Sequence, residues 1–555
     1  MKRIQTIILT LALPLLAGAA EIEVRHCSSA CAIRPRVAAD LAVTRPADRG
    51  KVRLARNETE SVQLVVRAHG AERLEDVTVS CGKLEGAARP PVVTASPVGY
   101  VHVTNAPPYK VGPDLRTAEP GWWPDPILDF PLRVDVAPGD AQAFFVRVRA
   151  EAATSPGEYR GEITVSARGV RAVRVPLVVR VDSFVLPAAS PLPLALTYSP
   201  HAGLQNPKPK AIEEERRAVE RDPLSPINAV RARTREWGDF LSGYYLSLDA
   251  LYRSDVPDME HFAKLRREGR LGRFNLGYWN FCKEKGEAAE RAWRERTLPP
   301  LRAAYDAASK AGLLDHAYLY GCDEVVPEHF EAIRRAARTL KSEFPGVPLM
   351  TTADDRSYGV DSHLDDLDAF VPLVQNYAPE KVAVARAAGH QVWWYVCCNH
   401  VDRHPNVFIE CPPIETRLLM GALAQKYRPD GFLYYQISIW NSRRPIVSGP
   451  FTDWNPESWE FHHGDGALTC VGPDGRPLPT LRLENFRDGL EDLAYARLLE
   501  GRLARHPDAK DDWSVRAREL LAVPPAVAQS LTNFTYDASV LLSWREAMAD
   551  ALESR

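Results

Sequence analysis

A change of hydrophobic pattern near residue 187 constrains the fold of this 555-residue chain more than any other feature. Before it, short runs that alternate apolar and polar residues are separated by Gly and Pro, which is the pattern of half-buried β-strands. After it, apolar runs alternate with amphipathic segments, which is the pattern of strands joined by helices. Phe184–Leu192 contains Pro187 and Pro191 and therefore suits a connection between two domains of different class.

Residues 21–187 are predicted to form a β-sandwich domain. Val52–Val66 alternates on both sides of a polar turn, and Phe144–Val148 is another clear strand. Short alternating runs with turn signals between them are typical of two packed antiparallel sheets. The segment Trp122–Pro126 is predicted to interrupt this pattern as an aromatic loop.

Residues 188–505 are predicted to form a (β/α)8 TIM-like barrel, followed by a helical segment at 506–555. The predicted barrel strands are Leu194–Ser199, Asn228–Arg233, Phe274–Asn280, His316–Cys322, Leu349–Ala353, Ala369–Asn376, Val392–Cys397 and Phe432–Ile437. Helical segments lie between most of them, such as Glu287–Ala311, which Gly312 ends. Eight strands with intervening helices match the repeat of this barrel. The fold class predicted for the chain is therefore a β-sandwich, then a barrel, then C-terminal helices.

Residues 1–20 have the parts of a secretory signal peptide. Lys2 and Arg3 precede the apolar stretch Ile4–Leu16, and the small residues Ala17–Ala20 follow as a cleavage site. The apolar stretch is too short to span a membrane, and no later run of about 20 apolar residues occurs. We therefore expect an exported protein, periplasmic or secreted, with no integral membrane segment after cleavage.

Charge and composition exclude several function classes. A formal net charge of −3 argues against a dedicated surface for nucleic acid or anionic membranes. His400, His462 and His463 lack the matching Cys or His frame of a zinc site. We therefore predict neither a metal nor another cofactor. No feature of the sequence indicates an oligomeric state.

Asp323 and Glu324 directly follow the predicted strand His316–Cys322, and Pro327 suits the first position of the next helix. In α/β folds catalytic groups lie at the carboxyl ends of parallel strands, so both acids are predicted to be catalytic. Successive strand residues point to opposite faces. Both carboxylates therefore reach one pocket only if the strand ends or twists at Cys322–Asp323. The alternative is that one acid caps the helix and the other is solvated.

Aromatic and amide side chains at other strand ends are candidates for substrate binding, because flat apolar faces suit sugar rings. They are Tyr198, Trp279, Asn376, Trp394, Tyr435 and Trp440. Half or more of the aromatic residues at strand ends are expected to be core. Asp354 and Asp355 form a second acidic tip after the fifth strand, with a helix cap or a solvated loop as the alternative role.

A series of sequence blocks resembles the catalytic region of glycoside hydrolase family 123. The blocks are HAYLYGCDE at His316–Glu324, QVWWYVCC at Gln391–Cys398, GFLYYQISIW at Gly431–Trp440, GDGAL at Gly464–Leu468 and RLENFRDGLEDLAY at Arg482–Tyr495. The resemblance covers roughly residues 190–500. It implies a retaining β-N-acetylhexosaminidase that acts on glycans with β-linked N-acetylgalactosamine. It also implies that Asp323 polarises the 2-acetamido group and that Glu324 is the general acid and then the general base.

Adjacent acids suit a mechanism in which the substrate supplies the nucleophile better than the usual mechanism with two opposed carboxylates. Most glycosidases place two carboxylates on opposite sides of the scissile bond, which neighbouring residues cannot easily do. When the substrate's own 2-acetamido group is the nucleophile, no enzyme group has to reach the far face of the sugar. Two alternatives stay open. One is a conventional glycosidase that uses Glu324 and an acid such as Asp355, and the other is a glycan-binding protein without turnover.

Overall fold

The computed structural model of the protein describes residues 21–200, 210–280, 286–399, 401–459 and 461–555. The predicted signal peptide, residues 1–20, lies outside the described residues. Within the described ranges, none of the helices combines the length and the hydrophobicity that crossing a membrane requires.

The N-terminal region is all β, as predicted. Its strands are β1 Glu21–Ser28, β2 Arg45–Pro46, β3 Gly50–Arg56, β4 Glu58–His69, β5 Leu74–Cys81, β6 Val92–Val103, β7 Lys110–Val111, β8 Arg116–Thr117, β9 Gly121–Ile127, β10 Val134–Val136, β11 Ala141–Ala150, β12 Gly157–Ala167 and β13 Val170–Val185. One six-stranded sheet has the order β2-β1-β4-β11-β6-β9, and a five-stranded sheet has the order β10-β5-β12-β13-β3. Apolar side chains of both sheets meet in one core, as alternating strands of two packed sheets require. The predicted loop Trp122–Pro126 is part of edge strand β9.

The middle of the chain contains only parallel neighbours within its two main sheets. The strands are β14 Leu194–Leu196, β15 Phe274–Trp279, β16 Ala317–Gly321, β17 Leu349–Thr351, β18 Ala369–Phe370, β19 Gln391–Val392, β20 Trp394–Tyr395 and β21 Phe432–Tyr434. They pair in the orders β14-β21-β20 and β15-β16-β17-β18-β19. Only Trp393 separates β19 from β20, so one chain segment takes part in both sheets.

Helices pack outside these sheets. They are α1 Lys210–Arg221, α2 Pro226–Arg231, α3 Thr234–Ser242, α4 Met259–Arg267, α5 Glu287–Ala292, α6 Leu298–Ala311, α7 Phe330–Glu343, α8 Pro379–Ala387, α9 Pro413–Leu418 and α10 Ala424–Tyr427. Single π-helical turns at Trp293–Thr297 and Leu419–Leu423 join α5 to α6 and α9 to α10. Gly312 ends α6 in the left-handed conformation, with φ of 68°, as the sequence predicts.

The closed barrel of eight regular strands is not confirmed. The predicted second strand, Asn228–Arg233, falls mostly in α2, where the Ser225 side chain caps the helix and Pro226 occupies its first turn. An irregular segment at Asp249 lies instead between β14 and β15. Its carbonyl accepts the Tyr198 N–H at 2.8 Å, and its carboxylate accepts the Asn275 N–H at 2.8 Å. One backbone and one side-chain hydrogen bond of Asp249 therefore replace part of the missing strand.

The chain ends in helices, as predicted, with short hairpins before and between them. These elements are β22 Glu457–Trp459, β23 His462–His463, β24 Thr469–Val471, β25 Pro477–Pro479, α11 Leu481–Leu503, α12 Asp512–Leu521, β26 Ala528–Ser530, β27 Asn533–Phe534 and α13 Ala538–Glu553. The long helix α11 is buried along most of its length, charged residues included.

Buried ion pairs join α9, α11 and α13 to the N-terminal region. Arg417 contacts Glu60 at 2.9 Å and Asp492 at 2.8 Å. Arg545 lies against Glu58 and contacts Asp492 at 3.3 Å. Burial opposes ionisation of Glu60, but the two guanidinium groups outweigh it and lower the pKa of Glu60 to about 2. Because removing one partner leaves an uncompensated buried charge, these pairs fix how the regions dock.

Glu415 of α9 is buried and has no cationic partner among the described residues. Its carboxylate accepts hydrogen bonds from the Tyr536 hydroxyl at 3.0 Å and the Asn406 N–H at 3.3 Å. Burial raises the pKa of Glu415 to about 7, and the hydrogen bonds offset only part of that rise. Because Tyr536 lies two residues before the start of α13, this carboxyl lies where the C-terminal segment contacts α9.

Replacing Glu415 with Gln is expected to make stability less dependent on pH. The folded-state pKa of about 7 lies above the unfolded value of about 4.3. Between those values the unfolded state releases the proton and the folded state keeps it, so the free energy of unfolding falls as pH rises. The neutral Gln side chain removes this effect, which amounts to at most about 4 kcal/mol. Urea unfolding at several pH values from 4 to 8 measures the difference.

The matched control for this measurement is Glu546→Gln, because Glu546 lies exposed on α13. Its pH dependence should parallel that of the wild type. If Glu415→Gln also parallels the wild type, the buried carboxyl of Glu415 does not contribute in this way.

Candidate active site

The chain leaves regular strand geometry just before the two predicted catalytic acids. Strand β16 ends at Gly321, and Cys322 and Glu324 then adopt left-handed backbone conformations with φ of 54° and 48°. Such conformations cost non-glycine residues on the order of 1–3 kcal/mol each and occur where surrounding contacts enforce them. The predicted ending of the strand at this point is confirmed. It removes the alternation that would turn the two side chains to opposite faces.

Gly321 is required by the close approach of β15. A Cβ at this position would lie 2.1 Å from the carbonyl oxygen of Trp279 and 2.5 Å from its ring. The same carbonyl accepts the Cys322 N–H at 3.1 Å. The turn that leads to the acids is therefore fitted against the end of the neighbouring strand.

Three hydroxyl groups surround the carboxylate of Asp323. Tyr320 donates to Oδ1 at 2.6 Å, Thr352 donates to Oδ1 at 2.8 Å and Tyr252 donates to Oδ2 at 3.1 Å. These residues come from β16, from the end of β17 and from the irregular segment that follows Asp249. The half-buried carboxylate is thereby held in one orientation by three separate parts of the chain.

Glu324 is exposed but is also held in place. Its Oε1 accepts the Tyr395 hydroxyl at 2.5 Å, and its backbone N–H donates to Thr352 Oγ1 at 3.1 Å. Thr352 therefore contacts both acids and Tyr395 contacts one, while the outer oxygen of Glu324 stays available to a ligand.

The tyrosine hydroxyls at this site act as donors. Burial raises the pKa of Tyr252 well above its usual value, and the charge of Asp323 adds to the rise. Burial likewise raises the pKa of Tyr395, with smaller contributions from Cys397 and Glu324. Both phenols therefore remain protonated at any physiological pH and donate to the carboxylates.

Both acids line one cavity of about 170 Å³, which we call the aromatic cavity. Tyrosine rings form much of its wall, together with two cysteines and a leucine. The lining residues are Tyr252, Tyr320, Asp323, Glu324, Thr352, Tyr395, Cys397, Cys398, Leu433 and Tyr435. Among the predicted substrate-binding residues, only Tyr435 lies in this wall.

A second cavity of about 240 Å³, which we call the polar cavity, is also lined by Glu324. Asn376, a predicted substrate-binding residue, is in its wall, as are Asp354 and Asp355. The carboxylate of Asp355 accepts hydrogen bonds from the Ser357 N–H at 2.8 Å and the Gly359 N–H at 2.7 Å. It therefore acts as a cap for the local turn, the alternative that the sequence left open.

The other predicted substrate-binding residues lie in the core. Trp279 and Trp394 have no exposed surface, and Trp440 is 1% exposed. The Trp440 ring packs against Trp237, and its indole N–H donates to the Thr469 carbonyl. Tyr198 stacks on the same Trp237 ring at 5.4 Å. The structure thus places these four side chains in hydrophobic packing and outside both cavities.

Sequence reasoning missed Tyr252, Tyr320 and Thr352 as wall residues, and it favoured Trp394 over its neighbour Tyr395. Tyr395 follows Trp394 on the same strand and therefore points to the opposite face, toward the sheet interior. Tyr318 and Tyr320 lie two residues apart on β16 and therefore point to the same face, which likewise indicates side chains directed toward the sheet interior. No sequence pattern marks Tyr252, which lies in an irregular segment.

The chain resembles known glycoside hydrolases in part of its sequence and in its overall fold. Residues 277–499 match the model of the glycoside hydrolase 123 catalytic domain. No curated protein sequence matches the chain significantly. A family 123 glycoside hydrolase from Clostridium perfringens, studied for glycolipid glycan hydrolysis, is similar in structure with a TM-score of 0.65 and 12% identity. That alignment covers 96% of this chain and 98% of the other.

A more distant match is a family 39 glycoside hydrolase from Bacteroides cellulosilyticus WH2. Its TM-score is 0.30 at 10% identity, and the alignment covers 80% of this chain and 81% of that chain. The family match over residues 277–499 confirms the resemblance that the sequence blocks indicate.

Replacing Gly321 with Ala is expected to destabilise the protein by about 1–3 kcal/mol, because the added methyl group overlaps the Trp279 backbone and ring. Chemical unfolding measures the loss. Gly272→Ala is the matched control, since a Cβ there meets nothing within 4 Å and φ is not left-handed. Equal stabilities of the two variants would contradict the close packing of β15 and β16.

Proposed function

We propose, for a chain that carries a glycoside hydrolase 123 catalytic domain over residues 277–499, that the protein is an exported, retaining β-N-acetylhexosaminidase. N-acetylgalactosaminides are its favoured substrates, and the substrate's 2-acetamido group is the nucleophile. The observation that carries the proposal is that Asp323 and Glu324, although adjacent, line the same cavity. A conventional pair would flank the sugar from opposite sides.

In the first step the acetamido carbonyl oxygen attacks C1 of the sugar and closes an oxazoline ring. The bond from C1 to the leaving oxygen breaks, and Glu324 transfers its proton to that oxygen. Asp323 accepts a hydrogen bond from the acetamido N–H and stabilises the positive charge that develops there. Its fixed orientation between Tyr252, Tyr320 and Thr352 means that little reorganisation is needed in the transition state.

In the second step Glu324 is the general base. It takes a proton from a water molecule whose oxygen adds to C1, and the bond from C1 to the carbonyl oxygen breaks. Water enters from the face that the leaving group vacated, so the anomeric configuration is retained. The exposure of Glu324 supports this role, because the carboxylate is in contact with solvent.

The aromatic cavity supports a sugar substrate. Tyrosine rings offer apolar faces to the sugar and to the acetamido methyl group, and the hydroxyls of Tyr252, Tyr320 and Tyr395 are already engaged with the acids. The conventional alternative receives less support, because both oxygens of Asp355 accept hydrogen bonds from its own turn.

A panel of aryl glycosides tests the nucleophile. We expect hydrolysis of 2-acetamido substrates, with retention at C1 by NMR, and no hydrolysis of the corresponding 2-hydroxyl sugars, because these lack the attacking carbonyl. No covalent glycosyl-enzyme should be trapped by mass spectrometry. Comparable rates on 2-hydroxyl substrates would favour the conventional mechanism, and binding without hydrolysis of any substrate would favour a glycan-binding protein.

The roles of the two acids can be distinguished by how the rate of each variant depends on the leaving group. Glu324→Gln is expected to lose about 10²–10⁴-fold in kcat on substrates with poor leaving groups and less on activated aryl glycosides, which need no proton. Asp323→Asn is expected to lose about 10²–10³-fold whatever the leaving group. Steady-state kinetics over a series of phenols measures this, with Glu328→Gln, an exposed acid outside both cavities, as control. Identical leaving-group dependence in both acid variants would refute the assigned roles.

A further inference from the structure

We propose that Cys397 and Cys398 form a reactive dithiol in the wall of the aromatic cavity, which small disulfides oxidise reversibly to a disulfide between these neighbouring residues. This inference goes beyond the function proposed above, because it concerns the thiols and not the reaction of the acids. Both cysteines line the aromatic cavity together with Asp323 and Glu324. Among the described residues, no other cysteine lines this cavity or the polar cavity.

The two thiols are in contact with each other. The side chain of Cys398 is hydrogen-bonded to that of Cys397, and this contact together with burial raises the pKa of Cys397 well above its usual value. Cys397 is buried, whereas Cys398 is half-buried, and both are free thiols in this structure. Cys398 is therefore the thiol that meets a reagent first, and Cys397 lies within its reach.

The oxidation is a thiol–disulfide exchange in two steps. The Cys398 thiolate attacks one sulfur of the small disulfide, whose S–S bond breaks, so that a mixed disulfide forms and one thiolate leaves. The sulfur of Cys397 then attacks the Cys398 sulfur, and the second thiolate leaves. The protons of the two cysteines pass to the two departing thiolates. One S–S bond thus replaces two S–H bonds in the protein, and the oxidant is reduced to two thiols.

A disulfide between adjacent residues is readily reduced again. Neighbouring Cα atoms lie about 3.8 Å apart across a trans peptide, whereas ordinary disulfides join Cα atoms about 4.4–6.8 Å apart. The backbone must therefore distort to close the ring, and distortion makes a disulfide more reducible. Both cysteines follow strand β20 and lie outside any regular strand, so no sheet ladder opposes the distortion.

The dithiol is coupled to the general acid through Tyr395. The Tyr395 hydroxyl donates to Glu324 at 2.5 Å, and Cys397 follows Tyr395 by two residues. After burial, Cys397 makes the largest contribution to the raised pKa of Tyr395, which places its sulfur close to that hydroxyl. Asn406 holds the Cys397 carbonyl by a hydrogen bond of 3.0 Å. Because the carbonyl is held, closing the ring shifts the backbone toward Tyr395, and we expect its hydrogen bond to Glu324 to weaken.

Peptide masses after treatment with 2-hydroxyethyl disulfide test the dithiol directly. Trypsin releases residues 387–403, which contain Cys397 and Cys398 and no other cysteine. After free thiols are blocked with iodoacetamide, the peptide should be unalkylated and lighter than the dithiol form by two hydrogen atoms. Reduction with dithiothreitol before blocking should return the doubly alkylated peptide. A peptide that is doubly alkylated despite oxidation overturns the proposal.

Two single variants separate the steps. Cys397→Ser leaves Cys398 without its partner, so the mixed disulfide should persist and the peptide should carry one mercaptoethanol group. Cys398→Ser leaves only the buried thiol, and its peptide should stay free of mercaptoethanol under the same conditions. The reverse pattern would overturn the order of attack. Thermal unfolding checks that each variant is folded.

Hydrolysis of an activated aryl 2-acetamido glycoside measures the effect on the general acid. Oxidation of the wild type should lower kcat/KM about tenfold, the loss expected for one hydrogen bond to a charged group, and reduction should restore it. In Cys398→Ser, kcat/KM should be equal before and after treatment. Cys27→Ser is the matched control, because Cys27 and Cys31 are another hydrogen-bonded pair of thiols and lie outside both cavities. It should respond to oxidation as the wild type does.

The outcomes separate this inference from the proposed function. Formation of the disulfide with kcat/KM unchanged overturns the coupling to Glu324 and leaves the proposed function standing. A wild type that hydrolyses no glycoside in its reduced form overturns the proposed function, and the peptide masses then decide the dithiol by themselves.

Discussion

The hydrogen bonds of the Thr352 hydroxyl group are the contacts on which the arrangement of the two acids depends. It donates to the Asp323 carboxylate and accepts the Glu324 N–H, so one small side chain from the end of β17 fixes both acids of the neighbouring strand. The left-handed conformations at Cys322 and Glu324 are unfavourable in isolation. They persist because this hydroxyl and the Trp279 carbonyl bind the backbone on either side of Asp323. Local strain is therefore balanced by contacts between strands.

The surrounding tyrosines make the site both apolar and rich in donors. The rings cover hydrophobic surface, and the hydroxyls of Tyr252, Tyr320 and Tyr395 each donate to one of the two carboxylates. A site built from Ser or Asn would supply the hydrogen bonds without the flat surfaces. A site built from Phe would supply the surfaces but would remove three of the four hydroxyl donors to the two carboxylates. Tyrosine satisfies both needs, which explains its concentration at the ends of these strands.

Much of the architecture can be predicted from the hydrophobic pattern of the sequence, and each wrong prediction has a physical cause. Strand and helix positions from Phe274 onward follow the period of the apolar residues, and the acidic tip follows from its place after a buried strand. The sequence Trp122–Pro126 predicts a loop, because proline has no N–H to donate to a neighbouring strand. An edge strand nevertheless tolerates proline. Asn228–Arg233 is too short for its hydrophobic periodicity to distinguish a strand from a helix, and the cap from Ser225 favours the helix. Trp394 and Tyr395 are neighbours on one strand, so their side chains point to opposite faces. Which of them enters the core and which lines the cavity depends on the register of the strand, which the sequence does not fix.

The ion pairs around α11 have a consequence for the ancestry of the chain. Arg417 lies inside the segment that matches the catalytic domain, whereas its partner Glu60 belongs to strand β4. A polypeptide divided at residue 187 would separate these opposite charges and leave buried arginines facing water on one piece and buried carboxylates on the other. Exchange of the N-terminal region by recombination would need matching acids at the same points in the incoming domain. The two parts of this molecule are therefore constrained to be inherited together, as one unit of selection.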